Sequence, residues 1–189
     1  VSRTIIRKVL LRLSLDKVVE IRPNRGAVIA APRSDQVREI FEARRLLEDG
    51  IVAQAARKCT VAAADSLRDI ARREHDCILT GERSGAIRLS GDFHIRIAEI
   101  AGNRPLRELL RQLVAQTSLA IARNFPTGQG MCDDHDHDHL TEAIAHNDAQ
   151  NARVRMRNHL LECERRLTMD APAGPSNLYH VFADVIGRR

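Results

Sequence analysis

The chain has 189 residues, of which 43% are hydrophobic and 29% are charged, and its formal net charge is +5 at pH 7. This composition can form a packed core, while no apolar run reaches the roughly 20 residues that span a bilayer, which argues against a membrane protein. No signal-peptide pattern opens the chain, and its four cysteines lack CxxC spacing, which favours reduced thiols over a disulfide framework. We therefore expect a cytoplasmic globular protein.

Positive charge is concentrated at the start of the chain. Residues 1–33 carry eight Lys or Arg and two acidic residues, a net charge of +6, whereas the remaining residues sum to −1. A basic end on a nearly neutral body is typical of polyanion binding, although a solvated basic tail would have the same composition. Because aromatic residues make up only 3% of the chain and Trp is absent, a duplex is a better candidate partner than a single strand.

The basic segment has the pattern of a helix followed by a hairpin. Ser2 before a run of good helix formers predicts an N-cap and a helix that ends near Ser14. Two β-rich runs, 18–22 and 27–30, flank a turn that contains Pro, Asn and Gly. A basic helix with a basic-tipped hairpin is typical of a recognition helix and its wing. Residues 1–33 are therefore predicted to form a partial winged helix-turn-helix DNA-binding domain.

Residues 34–189 have a helical pattern throughout. Gly, Pro and Asn breakers separate seven predicted helices, near residues 35–57, 61–79, 83–101, 105–123, 135–146, 149–168 and 176–186. Short helix–helix connections favour antiparallel neighbours. The predicted fold class is mainly α: a partial winged helix-turn-helix followed by an antiparallel all-helical bundle.

Three histidines are predicted to point into this bundle from three different helices. His94, His137 and His159 each share a helical face with apolar residues, whereas His135 and His139 are predicted to point outward. A lone inward histidine is usually a satisfied core residue, but three neutral imidazoles on facing helices are good ligands for Zn, Ni or Mn. The pattern predicts a divalent metal site, with the alternative that the imidazoles hydrogen-bond a small-molecule ligand directly.

Arg44 is a further polar residue predicted to point inward, since it lies on a stripe with Val37 and Leu47. A buried guanidinium without an anion is costly. Either an internal carboxylate pairs with Arg44, or its planar fork receives the carboxylate of a ligand. Asn103, directly after Gly102, is predicted either to contact a ligand or to cap a helix.

Several motifs, taken in their order along the chain, resemble the GntR family of regulators. The winged-helix motifs are residues 1–4, Arg7, residues 10–13 and residues 19–27. The motifs that resemble the FadR-like subgroup with its FCD effector domain are residues 42–48, 93–94 and 101–103, together with the pair of His137 and His159. The resemblance covers almost the whole chain. Because the family's winged helix has two further helices before this point, we expect the chain to be N-terminally truncated.

The resemblance implies a homodimer that reads a double-stranded DNA operator and binds a small organic acid in the helical domain, residues 34–189. The implied DNA contacts are Ser2, Arg3, Thr4, Arg7, Arg25 and Gly26. The implied effector contacts are Arg44, Ser90 and Asn103. In the family the fourth metal ligand is an Asp one turn before the first His, where this chain has Ser90. Three His with water or effector oxygens remain a feasible metal site.

We therefore expect a ligand-responsive transcription regulator and not an enzyme. A metal-dependent hydrolase is one alternative, because three His around an open metal is also a catalytic geometry, but no general base or nucleophile motif accompanies them. A helical dimerisation module with a filled core and no ligand is the other alternative.

Overall fold

The computed structural model describes residues 2–23, 26–124 and 136–169. In chain order its elements are α1 (Arg3–Leu15), β1 (Val19–Arg22), β2 (Gly26–Ile29), α2 (Ser34–Lys58), α3 (Val61–Leu79), α4 (Arg83–Ala101), α5 (Arg104–Asn124), α6 (Asp136–Ala145) and α7 (Ala149–Met169). The mainly helical class predicted from the sequence is confirmed. The helix predicted at 176–186 lies outside the described residues.

Helix α1 begins as the sequence predicts. The Ser2 hydroxyl accepts a hydrogen bond from the Ile5 amide at 3.3 Å and so caps the helix. None of the helix residues is buried, and Ile6 and Val9, both on the predicted apolar face, are 48% and 51% exposed. The apolar face of α1 is therefore largely open within the part of the chain that the structure describes.

The predicted hairpin follows α1. Strands β1 and β2 pair antiparallel, with Val19 opposite Ile29 and Arg22 opposite Gly26. Gly26 has a φ of +79°, a left-handed conformation that suits glycine at the end of a tight turn. The hairpin contacts α1 through β1.

Helix α2 is the centre of the helical body, where it packs against α4, α5, α6 and α7, while α3 packs against α4 and α6. Ala53, Ala55 and Ala56 are buried on α2, and such small side chains allow neighbouring helices to approach closely. The largest buried side chains of the core include Phe41, Phe93, Ile97, Leu110, Ile144 and Leu160. Each such side chain contributes about 1.5–3 kcal/mol to the free energy of unfolding through burial alone.

The junction of α4 and α5 is closed by backbone and side-chain caps. Gly102 has a φ of +73°, and its amide donates to the carbonyl oxygens of Ala98 and Glu99. The Asn103 side chain then accepts from the Leu106 amide at 3.2 Å. None of the helices in the described residues is both long and apolar enough to cross a membrane.

Candidate metal centre

The three predicted histidines come together in the interior of the helical body. His94 on α4, His137 on α6 and His159 on α7 are 2%, 7% and 4% exposed. One ligand atom from each ring lies within 4.8 Å of the others. The Nε2 atoms of His94 and His159 are 3.3 Å apart. The structure thus brings the candidate metal ligands into one cluster from three helices.

Each imidazole faces a carboxylate through its other nitrogen. The Nδ1 atom of His94 lies 2.6 Å from Oε2 of Glu48, and that of His137 lies 2.6 Å from Oε2 of Glu74. The Nδ1 atom of His159 lies 3.3 Å from a carboxylate oxygen of Asp136. A carboxylate accepts a hydrogen bond from Nδ1–H and so leaves the lone pair on Nε2, which is the usual arrangement around a metal-binding histidine.

The Nε2 atoms of His94 and His159 lie against each other, while that of His137 does not pair. His94 and His159 are 3.3 Å apart at Nε2, so one of them donates a hydrogen bond to the other, or else two lone pairs repel. The Nε2 atom of His137 is buried and has no hydrogen-bond partner among the described residues. A proton between His94 and His159 would relieve their repulsion but would leave His137 unsatisfied, whereas a divalent cation can satisfy all three nitrogens.

The donor set fits a divalent metal by distance, although the charge states of the rings differ. Two nitrogens bound to a tetrahedral zinc at about 2.0–2.1 Å lie about 3.3–3.4 Å apart, close to the separation of the His94 and His159 nitrogens. Burial lowers the pKa of His94 to about 3, against the opposing effect of Glu48, so this ring is neutral near pH 7. Neutral imidazole is the form that binds a metal. Burial lowers the pKa of His159, but Cys163 and Asp136 outweigh it and raise this pKa to about 10, so a cation has to displace a proton from this ring.

Arg44 is buried beside this cluster and is paired internally. Its Nε donates to Oε1 of Glu48 at 2.7 Å, and its Nη1 donates to the Thr117 hydroxyl at 2.9 Å. Burial opposes ionisation of Glu48, but Arg44 and His94 outweigh it and lower the pKa of Glu48 to about 2. The Nη2 atom of Arg44 has no partner among the described residues. Arg44 is therefore a structural ion-pair partner that still has an unused donor.

The two other candidate effector residues occupy different surroundings. Ser90 is buried on α4 one helical turn before His94, so both residues lie on the same face. Asn103 lies beyond the end of α4 at Ala101, where its side chain caps α5. Asn103 therefore acts as a helix cap in the structure, and its contact with an effector stays a prediction.

The candidate DNA-contacting residues lie on the surface. Ser2, Arg3, Thr4 and Arg7 are exposed at the N-terminal end of α1. Gly26 begins β2, while Arg25 lies outside the described residues. Exposure makes these side chains available to a partner, but the role in DNA binding stays a prediction. Of the two histidines predicted to point outward, His139 is exposed and His135 is not among the described residues.

Sequence reasoning missed the carboxylates that orient the rings. Glu48 follows Arg44 by four residues, and Glu74 continues a buried stripe with Leu67 and Ala71, so helical spacing contained a signal for both. Asp136 begins α6 in an acidic run that favours a solvated helix start, whereas its side chain contacts His159. No local rule identifies which of the 25 acidic residues face the interior.

Comparisons with known proteins agree with this architecture. The profile of the FCD domain matches residues 39–162. The chain is 30% identical over 185 residues to the Uxu operon regulator of Haemophilus influenzae, covering 85% of this chain and 66% of that protein. It is 26% identical over 184 residues to the Exu regulon transcriptional regulator of Escherichia coli, covering 85% of this chain and 68% of that protein. The chain thus spans about two thirds of the length of these relatives.

Solved structures show the same fold at lower identity. The structure of E. coli McbR/YncC superposes with a TM-score of 0.79 at 18% identity, covering 89% of this chain and 81% of that one. Streptococcus agalactiae GntR superposes with a TM-score of 0.59 at 22% identity, covering 87% and 82%. The Uxu and Exu proteins are described as regulators and not as enzymes, which favours regulation over the hydrolase alternative.

Proposed function

This chain belongs to the FCD-domain branch of the GntR family of transcription regulators, and we propose that a small organic acid bound in residues 34–189 controls how residues 1–33 bind an operator. The observation that carries the proposal is the buried convergence of three imidazoles beside the unused Nη2 donor of Arg44. Core positions are normally filled by apolar or satisfied groups, so unsatisfied polar atoms on two neighbouring side chains favour a ligand site.

We assign the metal-binding role to Nε2 of His94, His137 and His159. A divalent ion supplies a Lewis-acidic centre that attracts an anionic oxygen of a ligand. Glu48 and Glu74 fix the ring orientations through Nδ1, which keeps the Nε2 lone pairs directed inward. Zn, Ni and Mn are the candidate ions, because imidazole nitrogens suit the first two and ligand oxygens suit the third.

Arg44 and Ser90 are the proposed effector contacts. Nη2 of Arg44 is a buried, positively charged donor without a partner, so a ligand carboxylate there gains a charge-assisted hydrogen bond without new desolvation of the protein. Ser90 is buried one turn from His94 and offers a hydroxyl on the same face. Since both groups and a bound cation favour negative charge, an organic acid is the ligand class that suits the site.

Operator binding is assigned to the exposed start of α1 and to the wing. Ser2, Arg3, Thr4 and Arg7 lie at the start of α1, and a helix of this kind inserts into the major groove in winged-helix proteins. Arg25 and Gly26 are the proposed contacts of the wing. Two copies in a homodimer would present two such helices to two half-sites. The effector acts by stabilising one arrangement of the dimer over another with different operator affinity, in the cytoplasm where the operator lies.

The proposal is tested by selecting a DNA site with the intact protein and titrating organic acids against the complex. We expect one class of acid to shift operator affinity in the wild type. His137→Ala should remove this shift, while His139→Ala, an exposed position on the same helix, should keep it. Equal responses of both variants would refute the site. Hydrolysis of a bound acid would favour the hydrolase, and the absence of DNA and ligand binding would favour the dimerisation module.

A further inference from the structure

Cys163 lies on α7 one helical turn after His159. Its Sγ atom is 3.9 Å from Nε2 of His159, and the residue is only 5% exposed. Residues four apart on a helix share one face, so a His and a Cys at this spacing can hold one ion between them. The thiol therefore borders the same nitrogen that borders His94.

A bound cation would need a negatively charged ligand on the Nε2 side of the rings, and the three carboxylates do not supply one there. Glu48, Glu74 and Asp136 each face an Nδ1 atom, on the side of the ring away from Nε2. Ser90 is neutral at the position one turn before His94. Cys163, beside Nε2 of His159, is thus a side chain that can supply an anionic donor to a cation held by the three imidazoles.

A second and independent observation supports a ligand at this point. His137 is 7% exposed, and its Nε2 atom has no hydrogen-bond partner within the described residues. This atom lies on α6, so its lack of a partner does not depend on the His159 and Cys163 pair on α7. An ion bound by both helices satisfies the nitrogen.

We propose that Cys163 is a fourth protein ligand of the ion, bound as the thiolate, which makes the centre a three-histidine, one-cysteine site. This inference rests on the metal site of the proposed function. For zinc in a tetrahedral site, distances of about 2.3 Å to sulfur and 2.0–2.1 Å to nitrogen separate the two ligand atoms by about 3.5–3.6 Å. The Sγ atom lies 3.9 Å from Nε2 of His159 and is not part of the cluster that the three histidine nitrogens form, so ion binding has to bring the thiol closer to them. On binding, the thiol proton passes to solvent and sulfur donates its electron pair to the cation.

The thiolate changes which ion the site selects. Thiolate ligands favour Zn²⁺ and Co²⁺, whereas Mn²⁺ prefers oxygen ligands. Three histidines and one cysteine would supply the four protein ligands that a zinc ion commonly takes. We therefore expect Zn²⁺ and Co²⁺ to outcompete Mn²⁺, and Cys163→Ala to weaken Zn²⁺ binding by at least about tenfold.

The test is titration of the metal-free chain with Co²⁺, followed by absorption spectroscopy. The wild type should give visible ligand-field bands and a near-ultraviolet sulfur-to-cobalt charge-transfer band. Cys163→Ala should lose the charge-transfer band and keep ligand-field bands. Cys77→Ser is the matched control, because this thiol lies on α3 next to Glu82, and it should retain both features. The outcome is decided by the sulfur band, which a purely structural role for Cys163 would not produce.

The outcomes separate this inference from the proposed function. Ligand-field bands without a sulfur band in the wild type overturn the cysteine ligand and leave the three-histidine site. The absence of any bound-cobalt spectrum overturns both. A sulfur band that persists in Cys163→Ala and disappears in Cys132→Ala also overturns the assignment. If Cys163→Ala fails to fold, X-ray absorption of the zinc-loaded wild type decides, because a sulfur neighbour at about 2.3 Å supports the inference and a shell of only nitrogen and oxygen refutes it.

Discussion

Glu48 joins Arg44 to His94 through its two carboxylate oxygens. Oε1 accepts from Nε of Arg44 at 2.7 Å, while Oε2 lies 2.6 Å from Nδ1 of His94. The guanidinium and the imidazole come from α2 and α4, so one buried carboxylate fixes both side chains relative to each other. A ligand that moves Arg44 therefore acts on the orientation of a proposed metal ligand through a single hydrogen-bonded group.

Glu48→Gln should weaken metal binding and lower the free energy of unfolding. The substitution removes the charge that orients His94, which we expect to cost about 10- to 100-fold in Zn²⁺ affinity. It also leaves Arg44 buried without a counter-charge, at a cost of about 3–5 kcal/mol. Metal titration and urea unfolding measure the two effects. Adding Arg44→Met should recover much of the lost stability, while metal affinity stays low. A double variant that recovers no stability would contradict the ion-pair explanation.

Ser90→Asp should shift the site towards Mn²⁺. The carboxylate would stand one turn before His94, on the same buried face, and would add an oxygen ligand. Without metal the buried charge should lower the Tm, whereas saturation with Mn²⁺ should raise the Tm by more than in the wild type. Ser118→Asp, at a half-buried position on α5, is the control. An equal Mn²⁺ effect in both variants would show that Ser90 does not face the ion.

The helices and the three ring positions could be predicted from the sequence because both depend on local periodicity. The predicted α3 and α4 bounds, 61–79 and 83–101, agree with the structure, since strong breakers follow each helix. The partners of the rings could not be predicted in the same way. Glu74 reaches His137 across 63 residues, and that pairing depends on how α3 packs against α6. The sequence does not decide between the two roles of Arg44, because the apolar stripe on α2 does not show which side chains the facing helices bring to it.

Asn103→Ala should lower stability without changing effector binding. Loss of the hydrogen bond to the Leu106 amide removes the α5 cap and should cost about 0.5–2 kcal/mol in the free energy of unfolding. Asn103→Asp keeps an acceptor at the cap and should retain near-wild-type stability. Calorimetric titration with the effector checks the second half of the prediction. A loss of effector affinity in the Ala variant at unchanged stability would restore the ligand-contact alternative.

Arg3→Ala should weaken operator binding by the intact protein by about 5- to 150-fold, equivalent to about 1–3 kcal/mol. Arg3 is exposed in the first turn of α1, where a recognition helix presents side chains to base edges. Arg57→Ala removes the same charge from an exposed position on α2 and should have little effect. Fluorescence anisotropy at fixed salt compares the two. Equal losses of operator affinity in both variants would show that Arg3 contributes only non-specific positive charge.

Metal content is the most direct test of the central claim that three Nε2 atoms hold a divalent ion inside the helical body. The purified chain is equilibrated in a zinc-buffered solution, separated from free metal and analysed by mass spectrometry for zinc per chain. The account predicts one tightly bound ion in the wild type and in His139→Ala, and almost none in His137→Ala. A wild type without zinc, or equal zinc in the wild type and His137→Ala, would contradict it.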